Sequence, residues 1–490
     1  MPQITETQRV TMLVEMAAKA GMTLPEIIKA EIDGWLASDT YALMLDAESY
    51  FRNRSDVQNK LGGSTGDSNV KIEHPVLKKL IDQKTNYLLA RDWTVSSDDT
   101  RYADMLNDVF DDRIRRGVKS LGREAIKKGI AWMQVYFDDG AFAVKRLPSE
   151  QVIPLWVDDE HTKLDGIIRF YPQIVYDGRS KTTIRRIEYW DSTGVHYYVQ
   201  RDLSTVPVPD VEMGTASAHF RIGDADWNWN TPPFVWAKYN EEELPLLYFI
   251  REIIDDVNWQ TSITSDVLRD VAKFIYVLRG YEGQSLDTFL TELRKYKAIK
   301  LASEKDLNSG IDKLVADLDI DAVVKLLEIH RRNLYDYARS VDMQDEKLGD
   351  ASGQALKFRY SDLDMDMNDL EMELKGSFAR IKVFVDGYLQ ATGAGDFSGK
   401  EFEVTFSRDI ITNETEAIEN VKSSKGLVSE DTLLANHPWV KDVEAERERM
   451  AEDKKAAMEE YGAGMFDMTV NVPQAAAQQG KPPGTSNGDT

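Results

Sequence analysis

Apolar residues recur along this chain at two different periods, and the switches between them mark out its elements. Residues 24–58 read as helix with charged and apolar positions mixed, until LGGSTGDSN (Leu61 to Asn69) interrupts them with glycines and turn formers. From His74 to Ala90, residues Val76, Leu77, Leu80, Ile81, Tyr87 and Leu88 return at helical spacing, and a second helix is predicted from about Tyr102 to Gly129. Between Ala131 and about Tyr239 the texture becomes β-rich: AWMQVYF, AFAVKRL, GIIRFYP, TTIRRIEYW and GVHYYVQR, separated by DDG, DGRS and DSTG turns. WNWNTPPFVWAKYN closes this sheet-bearing region, with Pro232 and Pro233 at its boundary.

A long helix is predicted over Leu244 to Asp270, where Leu246, Leu247, Ile250, Ile253, Ile254, Val257 and Leu268 form a broad apolar stripe. Its other face is acidic, with Glu252, Asp255, Asp266 and Asp270 relieved by Arg251 and Arg269. At 1.5 Å per residue it is roughly 40 Å long, more than a small domain needs. A compact segment follows to Asp319: a strand-like FIYVLRGY, a helix around Ser285 to Tyr296, and a strand-like KAIKLA. Helix returns from Ile320 to Val341, with Val323, Leu327, His330, Leu334, Ala338 and Val341 on one line and Lys325, Glu328, Arg332, Asp336 and Arg339 opposite. After the polar DMQDEKLGDAS comes a very long helix, Gly353 to about Ala391, with Leu363, Met367, Leu370, Leu374, Phe378, Ile381, Val385 and Tyr388 spaced to pack against other helices. FEVTF (Phe402 to Phe406) reads as a strand, and SEDTLLANHPWV leads into a charged helix from about Asp442 to Tyr461, with Glu444 and Arg447, and Glu446 and Arg449, as i,i+3 pairs. The final NVPQAAAQQGKPPGTSNGDT is too polar to pack and is expected to be disordered. No repeat of solenoid length occurs.

Charge changes this picture. Lys and Arg total 60 against 84 for Asp and Glu, a net −24, which excludes a protein that coats DNA through a broad basic surface; any DNA contact is local or weak. The chain has no cysteine, which removes disulfides, thiolate metal sites and cysteine nucleophiles and suits a reducing cytoplasm. The N-terminus lacks the pattern of a signal peptide, and no run is apolar enough to span a bilayer, so a soluble, unexported chain is expected.

Candidate chemistry is sparse. Asp362, Asp364, Asp366, Asn368 and Glu373 mimic a calcium loop, but Met367 stands where its sharp turn needs glycine, so a solvated helix face is the better reading. The six histidines (His74, His161, His196, His219, His330 and His437) form no metal-binding pair, and His330, on an apolar stripe, is read as buried at a helix or subunit interface. No G-x-x-x-x-G-K-[ST] exists, since Gly399-Lys400 precedes Glu401 and Gly480-Lys481 precedes Pro482, so this chain supplies no P-loop. Gly62 and Gly63 read as surface loop, and Trp227, Trp229 and Trp236 as core or subunit contacts rather than base-stacking platforms. No metal and no cofactor are expected.

The order of elements, an α/β domain, a long helix, a small module, a second long helix, a polar loop, a very long helix and a helical end, resembles the portal proteins of tailed phages of the siphophage type. TPPFVWAKYNEEELPLLYFIREIIDDVNWQTSITSD resembles their passage from wing into first stem helix, and FIYVLRGYEGQSLDTFLTELRKYKAIKL their clip. SGQALKFRYSDLDMDMNDLEMELKGSF, starting at Ser352, is similar to the run opening the long helix after the tunnel loop. The likeness extends from about Lys71 to Lys455, including KIEHPVLKKLIDQKTNYLLARDW and VSEDTLLANHPWVKDVEAERERM.

The resemblance implies a helix-rich α+β portal fold: an N-terminal helical segment (1–60), wing (61–240), first stem helix (241–270), clip (271–319), second stem helix (320–341), tunnel loop (342–352), long wing helix and strand (353–408), crown (409–465) and tail (466–490). It implies a ring of about twelve copies at one capsid vertex of the virion, assembled in the host cytoplasm, conducting double-stranded DNA in packaging and ejection. Its implied partners are the terminase large subunit, a head-completion adaptor, and the major capsid and scaffolding proteins, with no membrane. Twelve helices about 10 Å apart make a circle about 38 Å across and leave a hole of roughly 28 Å, room for duplex DNA of roughly 20 Å. Transport demands weak holding, because each strong phosphate contact must break at every step. The tunnel loop Gln344, Asp345, Glu346, Lys347, Leu348 and Gly349 therefore carries the expected DNA contact, with Lys347 its one basic residue and Gly349 and Gly353 as hinges. Glu252, Asp255, Asp266, Lys325, Glu328, Arg332, Asp336 and Arg339 are the expected channel-facing stem residues. The alternatives are a metal-dependent phage nuclease built on clustered carboxylates and a capsid or scaffold component without a channel.

Overall fold

A computed structural model describes residues 21–60, 68–138, 140–222, 225–270, 275–279, 310–314, 319–344, 353–408, 414–440 and 446–455, with Lys19, Ser285, Asp287 and Val443. The chain divides into two units, 1–350 with 355–410, and 351–354 with 411–490.

The first unit opens with α1 (Leu24–Leu36) and α2 (Asp39–Phe51). The helix expected across 24–58 breaks at Ser38, whose hydroxyl accepts from the Tyr41 N–H (3.2 Å) and starts a new helix; Asp56–Asn59 is a single 3-10 turn. α3 (Val76–Leu89) follows, then β1 (Thr94–Ser96). The helix predicted over Tyr102 to Gly129 is two, α4 (Thr100–Val109) and α5 (Asp112–Lys128). Asp111 divides them, because its carboxylate accepts from the N–H groups of Arg113 (2.9 Å) and Ile114 (3.0 Å) and so caps α5. Gly129 ends α5 at φ +88, where a Cβ would lie 1.8 Å from the Glu243 carbonyl oxygen, so only glycine lets the chain ahead of the next long helix approach this closely.

The β-rich region forms two main antiparallel sheets. In the first, β2 (Ile130–Asp138) lies between β3 (Ala141–Leu147) and β12 (Phe234–Lys238), with Trp132 opposite Trp236. The second runs β4 (Val152–Trp156), β5 (Leu164–Asp177), β6 (Ser180–Asp191), β7 (Gly194–Gln200) and β8 (Val208–Pro209), and β9 (Ala216–Ser217) also pairs with β7. β10 (Phe220–Ile222) and β11 (Ala225–Trp227) make a separate hairpin. Trp132, Trp156, Trp190, Phe234 and Trp236 form an aromatic core shared by the two sheets, and Ile28 and Ile32 of α1 cover another apolar cluster built on β4 to β7. Trp229 and Trp236 are thus core residues, as read from sequence, whereas Trp227 is 45% exposed.

Two long helices, α6 (Leu246–Asp270) and α7 (Ile320–Tyr337), pack on each other, and β13 (Ile275–Arg279) pairs antiparallel with β14 (Gly310–Leu314) in the stretch between them. The expected strand KAIKLA and most of the Ser285 to Tyr296 helix fall outside the described residues, and β14 is a strand the sequence pattern did not suggest. α8 (Gly353–Ala391) is the main organiser of the core. Of its predicted stripe, Leu363, Met367, Leu370, Leu374, Phe378, Ile381 and Val385 are buried in one cluster with residues of α3 to α6, and Tyr388 is half-buried against it. β15 (Glu403–Thr405) returns to pair with β1.

The second unit holds α9 (Glu414–Ser423), α10 (Glu430–Ala435) and helix at 446–455, part of the charged helix expected from Asp442. Ser429 caps α10 by accepting from the Thr432 N–H, and Glu446 pairs with Arg449 at 3.0 Å as predicted. Glu444 lies outside the described residues, and Arg447 pairs with Asp431.

Candidate functional site

The two long helices α6 and α7, expected to be the stem, bury one side each and differ in the charge of the other. On α6, Leu246, Leu247, Ile250 and Ile254 are buried in the main core, and farther along the same side the buried positions turn polar: Asn258 and Ser262. Together with Asp266 they form a ladder at i, i+4 and i+8. Asn258 Oδ1 accepts from the His74 N–H (3.0 Å), Ser262 Oγ from the Ile72 N–H (2.9 Å), and Asp266 Oδ1 from the Val70 N–H (2.7 Å). Four helical residues rise about 6.0 Å and two extended residues about 6.6 Å, so every second amide of the extended segment meets a rung. Asp266 also pairs with Lys60, and Asp255 accepts from the Tyr50 hydroxyl (2.7 and 2.8 Å). Burial pushes the Asp255 carboxyl up, partly offset by the Tyr50 hydrogen bond.

Of the three acids of α6 expected to face a channel, Asp255 and Asp266 are therefore engaged by the chain's own N-terminal part, while Glu252 is exposed. The remaining exposed surface of α6 is largely apolar: Tyr248 (51%), Phe249 (44%), Trp259 (40%) and Ile263 (36%). Tyr248, Glu252, Trp259 and Ile263 fall on one line of the helix.

α7 is the reverse. Leu334 is buried and Val323, Leu327 and His330 half-buried, whereas Lys325, Glu328, Arg332 and Asp336 are all exposed on one face, a mixed-charge stripe. His330 bridges the helices, its Nε2 lying 2.6 Å from Asp256 Oδ2, which bears out its reading as an interface residue.

α7 stops four residues before the predicted Val341. The Ser340 N–H donates to the Tyr335 carbonyl (2.9 Å) and the Arg339 N–H to the Asp336 carbonyl (3.0 Å), a helix-ending turn whose left-handed position is normally glycine. Here it is Arg339, at φ +47, a conformation that costs an L-residue about 1–2 kcal/mol. Lys84 of α3, fully buried, donates to the Arg339 carbonyl (3.0 Å) and to Asp366 (2.7 Å), and Asp366 also accepts from the Tyr239 hydroxyl (3.0 Å). Burial pushes the Lys84 ammonium down, against the pull of Asp366. The chain then folds back: Arg331 donates to Asp342 (2.6 and 2.9 Å) and to Gln344 (3.0 Å). Gln344 is the last described residue of the loop; Asp345, Glu346, Lys347, Leu348 and Gly349 lie outside the described residues.

The calcium-like carboxylates lie on α8 as helix. Asp364 accepts from the Tyr87 hydroxyl (2.6 Å) and from Arg408 (2.8 Å), and Arg408 also bonds Asn368 and Glu371 (2.8 Å). Among the described residues no group of three or more histidine or carboxylate side chains is placed to hold a metal ion, and no helix is long and apolar enough to cross a membrane.

A sheet-bearing body, two long packed helices and a 39-residue helix running through the core are consistent with a structural subunit of the phage portal class. The chain belongs to the family described as "Phage portal protein, SPP1 Gp6-like", which matches residues 38–460. It is 29% identical over 428 residues to the portal protein of Bacillus phage SPP1, covering 84% of this chain and 83% of that protein. It is 26% identical over 432 residues to the portal protein of Clostridium phage phiCD119, covering 84% of this chain and 92% of the other. Its function is that of a phage portal protein, a structural component of the virion, and neither relative supports the nuclease alternative.

Proposed function

We propose that copies of this chain close into a ring, of about twelve, that conducts double-stranded DNA into and out of the capsid, with the exposed face of α7 lining the channel and the apolar stripe of α6 set against the next copy. The observation that carries this is the contrast between the two stem helices. Tyr248, Phe249, Trp259 and Ile263 leave on α6 an apolar strip that water disfavours, while α7 sets Lys325, Glu328, Arg332 and Asp336 among its own exposed apolar residues, Ile320, Val324, Ile329 and Tyr337. Alternating signs on the channel wall give the phosphates no continuous basic track, so DNA is guided without being held. Asp255 and Asp266 brace the stem instead of facing DNA, and the tunnel loop, with Lys347, makes the closest approach. In this reading the ring is also the docking platform for the terminase large subunit and a head-completion adaptor, and the neighbour of major capsid and scaffolding proteins; the match to the portal family and to a relative named a portal protein supports it.

Because the chain has no cysteine, single cysteines at Lys325, Arg332, Tyr248 and Trp259 report each position separately. In rings seen with a central hole by negative-stain microscopy, cysteines at 325 and 332 should react with a small maleimide and lose that reactivity when DNA fills the channel. Those at 248 and 259 should be shielded by ring closure alone. Absence of closed rings, or channel-dependent shielding at 248 and 259 in place of 325 and 332, refutes the assignment.

A further inference from the structure

The sheet running from β4 to β8 ends in two opposite edges, and both carry exposed apolar side chains. On the β4 side, β5 outruns its neighbour: β4 pairs no farther along it than Arg169, opposite Val152, and β7 meets β6 no farther than Arg185. From Pro172 to its tip the β5–β6 hairpin is therefore a two-stranded ribbon with an open flank. Pro172 has no N–H and stands where a ladder needs none, so by alternation Ile174 and Tyr176 also turn their N–H groups to the open side. Both side chains are exposed, Tyr176 by 72%, and no charge guards the stretch from Pro172 to Tyr176. At the opposite edge, β8 and the turn after it expose Val208, Met213 and, by 83%, Val211. Hydrogen bonds hold these residues in place. Arg186, buried in β6, donates to Asp210 and to Glu212 (2.8 Å) on this side and to Gln173 of β5 on the other. Asp210 accepts from the Glu212 (3.0 Å) and Met213 (3.3 Å) N–H groups. Its own N–H donates to the Tyr197 carbonyl (2.9 Å), which leaves Pro209 facing off the edge with a carbonyl and no N–H.

The two edges complement each other. β5 offers outward donors where β8 offers an acceptor, and Pro209 facing a second Pro209 would meet no donor. Charge follows the same division. In a chain of net −24 the ribbon tip is positive, with Arg179 and Lys181 against Asp177, whereas residues 201–213 set Asp202, Asp210 and Glu212 against Arg201 and the inserted Arg186, one negative charge in excess. Unlike edges therefore attract and like edges repel. Because the two edges lie on opposite sides of one sheet, the contact is head-to-tail and leaves a free edge at each end until the row of copies closes on itself. We propose that the β5 edge of one copy, Pro172 to Tyr176, docks against the β8 edge and the 201–213 turn of the next, joining neighbouring copies sheet to sheet. This rests on the reading of the protein as a ring of copies.

The test uses the full-length chain, which has no cysteine, carrying Tyr176→Cys and Val211→Cys together. Within one copy these positions lie three strand spacings apart, roughly 14 Å, beyond the ~7 Å between Cα atoms that a disulfide spans, so any disulfide joins two copies. The expected result is closed rings in negative-stain microscopy and, after mild oxidation, a ladder of covalent multimers on a denaturing gel, with each single-cysteine variant remaining monomeric there. Arg179→Glu with Lys181→Glu, at the exposed tip, should cut the yield of the ladder severalfold, and adding Asp202→Lys should restore it in part. Rings without a ladder overturn the proposal and leave the ring reading standing. A dimer from Tyr176→Cys alone would show that like edges meet, and an undiminished ladder from the charge-reversed pair would remove the complementarity; either overturns it. A ladder without closed rings would uphold the contact and refute the ring. If neither forms, the ring reading fails and takes the proposal with it.

Discussion

Replacing Asn258 with leucine isolates the polar ladder on α6 from the packing around it. Asn258 is 1% exposed, donates to Ser55 Oγ (2.9 Å) and accepts from both the His74 N–H (3.0 Å) and His74 Nδ1 (2.9 Å). Leucine has the same branched heavy-atom framework, so no cavity opens, but the amide and the ring Nδ1 of His74 lose their acceptor, while the Ser55 hydroxyl keeps its bond to Glu73 (3.1 Å). At about 1–3 kcal/mol for each buried polar group left unsatisfied, less about 1 kcal/mol regained from the apolar side chain, the net cost is roughly 2 kcal/mol, near a 30-fold rise in local opening. The assay is amide hydrogen exchange at Val70, Ile72 and His74, whose N–H groups take the three successive rungs. Asn258→Leu should accelerate His74 most and Ile72 and Val70 progressively less, and Ser262→Ala should centre the effect on Ile72. Exchange at all three positions within about threefold of the parent would refute the ladder as what holds this segment to the stem.

Lys84→Met should cost about 3–5 kcal/mol in denaturant unfolding, because it strips the buried Asp366 carboxylate of its cation and the Arg339 carbonyl of its donor; a loss below about 1 kcal/mol would show that the pair is dispensable. Burial pushes the Glu48 carboxyl up, but Lys127 (2.7 Å), Arg52 (2.6 Å) and Lys128 (3.5 Å) pull it down to about 2. A depressed carboxyl contributes stability above its unfolded value of 4.5 and loses it as pH falls toward about 2, so Glu48→Gln should be less stable than the parent at pH 7 and equal to it near pH 2; a difference constant with pH would contradict the pairing. Lys347→Glu reverses the one basic charge of the loop and should lower packaging or retention of DNA in assembled particles, while unchanged packaging and retention would exclude direct contact there.

Much of the fold was legible because periodicity survives tertiary packing. The stripe of α8 predicted from its spacing is buried from Leu363 to Val385, with Tyr388 half-buried at its end, and α6 begins within two residues of its predicted start. Boundaries failed where one side chain satisfies the backbone in a way hydropathy does not register: Ser38 and Asp111 each cap a new helix inside a stretch that reads as continuous. The end of α7 was misplaced for a related reason, since Ala338 and Val341 are apolar and buried but Arg339 has already turned the chain.

The candidate site divides along the same line. The sequence by itself determined the α+β order of elements, the two long helices α6 and α7 and the kinship to portal proteins, because these rest on local spacing and on long runs of residue types. Only the tertiary structure decided which polar residues are free. Asp255 and Asp266 look on a helical wheel no different from Glu252, yet their partners are Tyr50, Lys60 and the Val70 amide, about two hundred residues earlier. A carboxylate's role is set by what approaches it in space, and a pairing across that separation leaves no period in the chain to read.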